Sequence, residues 1–468
     1  MLLNSKPGRF LVTRIARAYG FLDPFAVLSR LRGFAQQSEV GEPIELLRAG
    51  VLFHARGLVN TKAIQHNLDW VWPYWVERQF NPHDASFIPR AFSFSHINLT
   101  HRNWTAVGLP DVPYFPIVDP RGLVTPLFDG WSLDFWLVSA EGALLLPSKL
   151  ANFQQELQLN GTLRVRSLAE HEGRRLRSDV ELVLENGEPH CRVTLHAEAP
   201  GGAIAIVLRP YNPEGVSAID RVEMTPDAAG WLVNRRHPVH FSRQPLRHQL
   251  SCYRDGDVAL RFDEEIKTTC QECDAGMATA AALFPIDDLG DATLEVRVPI
   301  YDELDPKRRP RYQGTPRWDE ALAPFARLQI AEPTLQRLYD LALANTVLHT
   351  PEDSFPGPYT YKRFWFRDAV FILHALLALG GVERVRRALE RFAPRQRRDG
   401  YFLSQEGEWD SNGEALWFYE RFAVLTGEAL PSSWLEAVAR GTKWIRNKRL
   451  PRGQHRPEDG LLPAGFSA

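Results

Sequence analysis

What this chain lacks narrows the field first. It has only four cysteines in 468 residues, too few for the disulfide framework of a small secreted scaffold. Its formal net charge of −2 and pI near 6.7 make no electrostatic case for a nucleic-acid partner. No apolar run reaches the ~18 residues of a membrane-spanning helix. Residues 1–36 also lack the apolar stretch and small-residue cleavage site of a secretion signal. The expected compartment is therefore the cytoplasm, and a membrane is not an expected partner. Cys270 and Cys273 stand alone at C-x-x-C spacing, with only Cys191 and Cys252 as further thiols. They read as a reduced pair near a turn, so neither a metal nor a cofactor is expected. His96 and His101 are not at the spacing of a helical metal site. Asn98, Asn103 and Asn160 each open an Asn-x-Thr triplet, but nothing signals export.

The remaining composition is that of an ordinary globular protein, with 44% hydrophobic and 24% charged residues. The length suggests two or three domains. Residues 1–40 read as two amphipathic helices, Phe10 to Tyr19 and Pro24 to Phe34, with Arg14, Arg17, Arg30 and Arg32 outward. Such helices can lie on an anionic membrane. Phe21, Phe25, Leu28 and Leu31 instead make an ordinary core stripe, so packing against the protein body is the expectation.

Residues 41–305 read as an antiparallel β-sandwich. Ile64 to Val76 looks helical and Phe92 to Thr105 strand-like. Farther on, period-two alternation takes over. Leu163 and Val165 alternate with Arg164 and Arg166, and Val180, Leu182 and Leu184 with Glu181 and Glu185. Val193, Leu195 and Ala197 continue the pattern, as do Leu294, Val296 and Val298. Polar residues between them indicate strands buried on one face. Asn186-Gly187 and Gly201-Gly202 mark turns. Ala203 to Leu208 is apolar throughout, which suits a central strand. Residues 306–350 read as a linker. Within it Pro333 to Leu348 is a helix with Leu335, Leu338, Leu341 and Ala342 on one side.

Residues 351–468 carry a different period. Asp368 to Gly380 is apolar nearly all round, so burial on every side is expected. Val382 to Phe392 has one apolar stripe, Val382, Val385, Leu389 and Phe392, and an arginine face. Glu414 to Thr426 repeats the first pattern, and Ser433 to Asn447 the second, with Ser432 or Ser433 as N-cap. The repeat is 46 positions (414 − 368), the length of a helical hairpin plus a loop in a stacked array. Short and long connections alternate, so the long loops share one rim, where binding residues tend to sit. Trp365, Arg367 and Asp368 enter that rim; Trp409, Asp410, Asn412 and Glu414 close it. A plain helical solenoid, with Asp368 and Asn412 only as caps, is the bland alternative.

The stretch FWFRDAVFILHALLALGG, Phe364 to Gly381, resembles the first inner helix of six-hairpin glycosidases. These are the (α/α)6 glucoamylases and their bacterial family 15 relatives. The resemblance implies that Arg367 and Asp368 bind hydroxyls of the sugar in the reactive subsite. EWDSNGEALW, Glu408 to Trp417, resembles the next rim loop. It extends sugar binding to Trp409, Asp410, Asn412 and Glu414, with Trp365 available for stacking. The implied activity is inverting hydrolysis of α-linked glucosides, with an oligosaccharide or polysaccharide as partner. A phosphorylase of the same architecture is one alternative. A non-catalytic sugar-binding protein of polysaccharide metabolism is another. The whole architecture is thus a β-sandwich, a linker helix and the first hairpins of an (α/α)6 toroid. In that family the acid and base lie in later hairpins, so they are expected beyond Ala468 and the chain is expected to be partial. Asp410 or Glu414 as acid stays an alternative, with binding or capping favoured.

Overall fold

The structure is a computed structural model that describes residues 44–85, 87, 104–264, 268–287, 290–301, 311–358, 361–453 and 456–465, with side chains from 55 onward. The two expected N-terminal helices, His96, His101 and nearly all of the expected strand at 92–105 lie outside those residues. The contacts define two units. One comprises Arg56–Arg363 and Ala378–Arg384 and is rich in strands; the other comprises Phe364–Leu377 and Val385–Ala468, with 44–55, and is helical.

In the strand-rich unit the period-two segments form strands as the alternation predicts. Leu163–His171, Arg174–Glu185, Glu188–Glu198 and Asp291–Pro299 are neighbours in a nine-stranded antiparallel sheet. Their alternate residues Val165, Val180, Val193, Leu195, Leu294 and Val296 are buried. Asn186 and Gly187 both adopt left-handed φ, 52° and 80°, which a two-residue hairpin of matching twist requires. The outward face is less open than the pattern suggests. Glu181 is only 4% exposed, because Arg164 (3.2 Å) and Arg192 (2.7 Å) sit directly opposite it on the flanking strands. Arg166 pairs with Asp179 in the same way, at 2.7 Å. Opposite charges across a strand pair contribute about 0.2–1 kcal/mol each.

The second sheet has eight strands, with Ala203–Arg209 between Ser132–Val138 and Thr279–Pro285. Ile204, Ile206 and Leu208 join the large core that also takes in Leu294 and Val296 of the first sheet. Ala205 and Val207 face the other way, into a smaller cluster with Trp136, Val258 and Phe262. Burial on both faces explains why this strand has no polar partner in its alternation.

Helices α1 (Ile44–His66) and α2 (Tyr74–Phe80) correct one expectation. Ile64 to Val76 is not one helix. The chain leaves α1 after His66, and Pro73 precedes α2 in extended conformation at φ −67° and ψ 161°. The intervening Trp70-Val71-Trp72 is buried and bonded elsewhere. The Val71 amide donates to Asp257 Oδ2 at 2.8 Å, and the Trp72 indole donates to the Asn67 carbonyl at 2.8 Å. The Val71 carbonyl accepts from Arg209 Nη2 (2.6 Å) and from the Tyr211 hydroxyl (2.7 Å). Arg209 and Asp257 are themselves joined by two 2.6 Å bonds, and neither side chain is exposed. Burial works against the charge on Arg209, yet Asp257 holds its pKa above the ordinary value.

After α3 (Trp318–Leu322), helix α4 (Pro333–Leu348) has the predicted bounds. The Glu332 carboxylate caps it, accepting from the amides of Thr334 (3.1 Å) and Leu335 (2.7 Å). Its buried face is Ala344, Val347 and Leu348. The leucine stripe is not that face, since Leu335 and Leu338 are exposed.

The helical unit contains most of α5 (Phe366–Ala378), α6 (Val382–Leu389), α7 (Ser411–Thr426) and α8 (Ser432–Lys448). Two further expectations need correcting. Neither α5 nor α7 is buried all round. α5 buries Phe366, Ala369, Val370, Leu373, Leu376 and Leu377 and leaves Phe371 62% exposed. α7 buries Ala415, Phe418, Tyr419 and Phe422 and leaves Trp417 and Val424 outside. The N-cap of α8 is Pro431, without a side-chain cap, so neither Ser432 nor Ser433 plays that part. Phe366 packs edge-on against Phe392 (5.0 Å) and Phe402 (5.4 Å). Trp434 of α8 rests on Tyr419 and Phe422 of α7, at 5.4 and 5.7 Å.

Asp257→Asn leaves Arg209 buried without its counter-charge and is expected to cost about 3–5 kcal/mol of stability, read by urea denaturation. An unchanged midpoint would show that Arg209 has another counter-charge.

Candidate functional site

The site is built where α5 begins. Phe366 is buried and anchors the first turn, while the Trp365 carbonyl accepts from the Ala369 amide at 2.9 Å. The next two residues, Arg367 and Asp368, stay at the surface with about a third of each side chain exposed, and their charged ends lie 3.7 Å apart.

A loop between α6 and α7 supplies the rest. It is held by Asn412, which is wholly buried. Asn412 Oδ1 accepts from the Phe402 amide (2.8 Å), and its Nδ2 donates to the carbonyls of Gly400 (3.0 Å) and Gly441 (3.2 Å). Gly400 has a φ of 100°, and any Cβ there would collide with the Arg440 carbonyl. Tyr401 stacks on Trp444 at 4.9 Å, with Trp409 against both. The Trp409 indole donates to the Ala464 carbonyl at 3.2 Å, and Lys448 Nζ lies 4.0 Å above its ring.

On this support the loop presents Gln405 and Glu408, 4% and 3% exposed. Gln405 Oε1 accepts from the Trp365 indole at 3.5 Å. Glu408 Oε1 is 3.8 Å from Arg367 Nη1, and its Oε2 accepts from the Ser404 hydroxyl at 3.0 Å. Glu414, in the first turn of α7, is part of the same cluster. Its carboxyl is pushed up to about 7, first by burial and then by the charge of Asp410, with Glu408 and Asp368 adding and Arg367 opposing. Glu414 Oε2 is buried and has no hydrogen-bond partner among the described residues.

Of the residues the sequence nominates, Trp365, Arg367, Asp368 and Glu414 come together, and Asp410 stands exposed beside Glu414. Two do not present themselves to a ligand. Asn412 spends its amide on three backbone groups, and Trp409 is 7% exposed in an aromatic stack. Sequence reasoning missed Gln405 and Glu408. Their one signal was polarity in a long loop, which is also the signal of a solvated loop.

The cluster sets a planar donor, Arg367, beside an exposed carboxylate acceptor, Asp368. A protonated Glu414 adds one O–H donor. This suits a neutral ligand rich in hydroxyl groups. Among the described residues no group of three or more His, Cys, Asp or Glu could hold a metal ion. Among them also, no helix is long and apolar enough to cross a membrane.

No family model matches this chain, and no curated protein does. Solved structures do. The chain is similar to a bacterial glucoamylase complexed with acarbose, at 10% identity and TM-score 0.46, covering 78% of this chain and 71% of that one. It is similar to a family GH92 α-mannosidase from Bacteroides thetaiotaomicron, at 11% identity and TM-score 0.30, covering 78% and 68%. A protein named as a kojibiose phosphorylase from the human microbiome matches at 8% identity and TM-score 0.24, covering 74% of this chain and 43% of that one.

Asn412→Ala strands the buried Phe402 amide at a cost of about 1–3 kcal/mol, while the Gly400 carbonyl keeps Gln396 Nε2 at 3.1 Å; loss of thermal stability in the helical unit is the expected result. Glu414 gives a pH test. Its pKa is raised above the ordinary 4.5, so its stabilising contribution is complete below about 4.5 and is lost as pH climbs through about 7. Glu414→Gln is expected to flatten the fall in Tm between pH 5 and 8, measured by calorimetry.

Proposed function

We propose that the chain binds α-linked glucosyl units of an oligosaccharide or polysaccharide at the Arg367–Asp368 rim, as the sugar-binding part of an inverting glycoside hydrolase of glucoamylase type. On this reading α5 to α8 are hairpins of the kind that build an (α/α)6 toroid, and the exposed apolar side of Phe371, Trp417 and Val424 is a face where further helices of such a ring pack.

The observation that carries the reading is the paired emergence of Arg367 and Asp368 from the first turn of α5, with buried Glu408 behind Arg367. A sugar hydroxyl both donates and accepts. Asp368 accepts from one or two hydroxyls, and the Arg367 fork donates to their oxygens. The half-buried indole of Trp365 offers an apolar surface next to them. Glu414 holds a proton near neutrality and donates where Asp368 accepts.

Acarbose, the ligand in the bacterial glucoamylase, and maltose are the first probes. Arg367→Ala and Asp368→Asn are each expected to weaken binding by roughly 10–100-fold, the worth of a charged hydrogen bond, by isothermal titration calorimetry. Wild-type affinity in both variants would overturn the assignment.

A further inference from the structure

We infer that Glu408 is the positioning residue of this site: it holds the Arg367 guanidinium in the orientation a ligand meets. The identity of the ligand rests on the carbohydrate reading; the Glu408–Arg367 relation does not.

Glu408 is nearly cut off from water, where a carboxylate is costly unless it is compensated. Its own place is over-determined. The Ser411 and Tyr401 hydroxyls lie 2.6 and 3.0 Å from its backbone carbonyl. Its Oε2 accepts from Ser404. Its remaining oxygen, Oε1, is buried without a hydrogen bond among the described residues, and the Arg367 Nη1 cation lies 3.8 Å from it, an ion-pair distance. The other end of that guanidinium, Nη2, lies 3.7 Å from Asp368 Oδ2. Arg367 therefore sits between a buried carboxylate that cannot follow it and an exposed one that can.

Two consequences separate this role from plain support of the loop. First, a long arginine that is already ordered loses less freedom on binding than a mobile one. Second, Glu414 lies in the field of Asp410, Arg367, Glu408 and Asp368. While Glu408 holds Arg367, the guanidinium is shared among carboxylates and Glu414 keeps its proton. Neutralising Glu408 removes one repelling charge and frees Arg367 to turn toward Glu414. Both changes favour the charged form of Glu414.

The test compares wild type, Glu408→Gln, Arg367→Ala and the double variant. Glu408→Gln keeps the shape of the side chain and an acceptor for Ser404. It is expected to bind acarbose about 10-fold more weakly, with no further loss when added to Arg367→Ala. Without any sugar, 15N relaxation of Arg367 Nε should show a more mobile side chain. The titration midpoint of Glu414, followed by 13C NMR, should fall below about 7. Arg367 relaxation and a Glu414 midpoint unchanged from wild type would overturn the inference. So would a binding loss of the same size with and without Arg367. If Glu408→Gln does not fold, Glu408→Asp carries the same comparison, because it retracts the charge by one methylene. If wild type binds neither acarbose nor maltose, the carbohydrate reading falls, while the two NMR measurements still decide the role of Glu408.

Discussion

A polar group removed from water must find its partner inside the protein, and this constraint sets both units. In the strand-rich unit the case is Arg209 with Asp257, both fully buried. Each of them also takes a backbone group from Val71. That pins the segment between α1 and α2 to the central strand, and the Trp70 and Trp136 rings close over the guanidinium at 5.8 and 5.5 Å. Separately, the two ions would each cost several kcal/mol to bury. Together, with every oxygen and nitrogen engaged, they fix where the tryptophan-rich segment lies. In the helical unit Asn412 has the same part on a smaller scale. A neutral amide at the head of α7 gathers Gly400, Phe402 and Gly441, and so gives a long loop one conformation.

The site follows from how that loop is held. Rigid backing lies beneath: Tyr401, Trp409 and Trp444 stack, and Glu408 and Gln405 are buried. The exposed groups above it are few, and one guanidinium stands among four carboxyl groups. Such a cluster cannot be fully ionised without strain, which is why burial and neighbouring charge leave Glu414 with its proton near neutral pH. On the proposed reading, a surface that combines a planar fork, an open carboxylate and a protonated carboxyl meets the hydroxyl groups of a sugar.

Much of the secondary structure was legible in the sequence because it is written in local periods. Val193-Thr194-Leu195 and Leu294-Glu295-Val296 alternate, and they are strands. Val385, Leu389 and Phe392 recur at helical spacing, and they are buried. Arg367 and Asp368 were legible as a pair, since adjacency in the chain is adjacency in space at the head of a helix. Other features were not local. Ile64 to Val76 has helical composition, but a buried ion pair 130 or more residues away claims its backbone. Glu181 looks like an outward residue until its neighbours across two strands turn out to be arginines.

The sequence by itself determined the strands between Leu163 and Glu198 and at Asp291–Pro299, and the helices between Phe366 and Lys448, because hydrophobic period is a property of consecutive residues. It also determined that a charged pair opens α5. Tertiary structure alone decided which face of α5 and α7 is covered, that Asn412 and Trp409 serve the scaffold, and that Glu408, 41 positions (408 − 367) along the chain, reaches Arg367. Those outcomes depend on which side chains meet across the fold, and no local pattern encodes a meeting between residues so far apart in the chain.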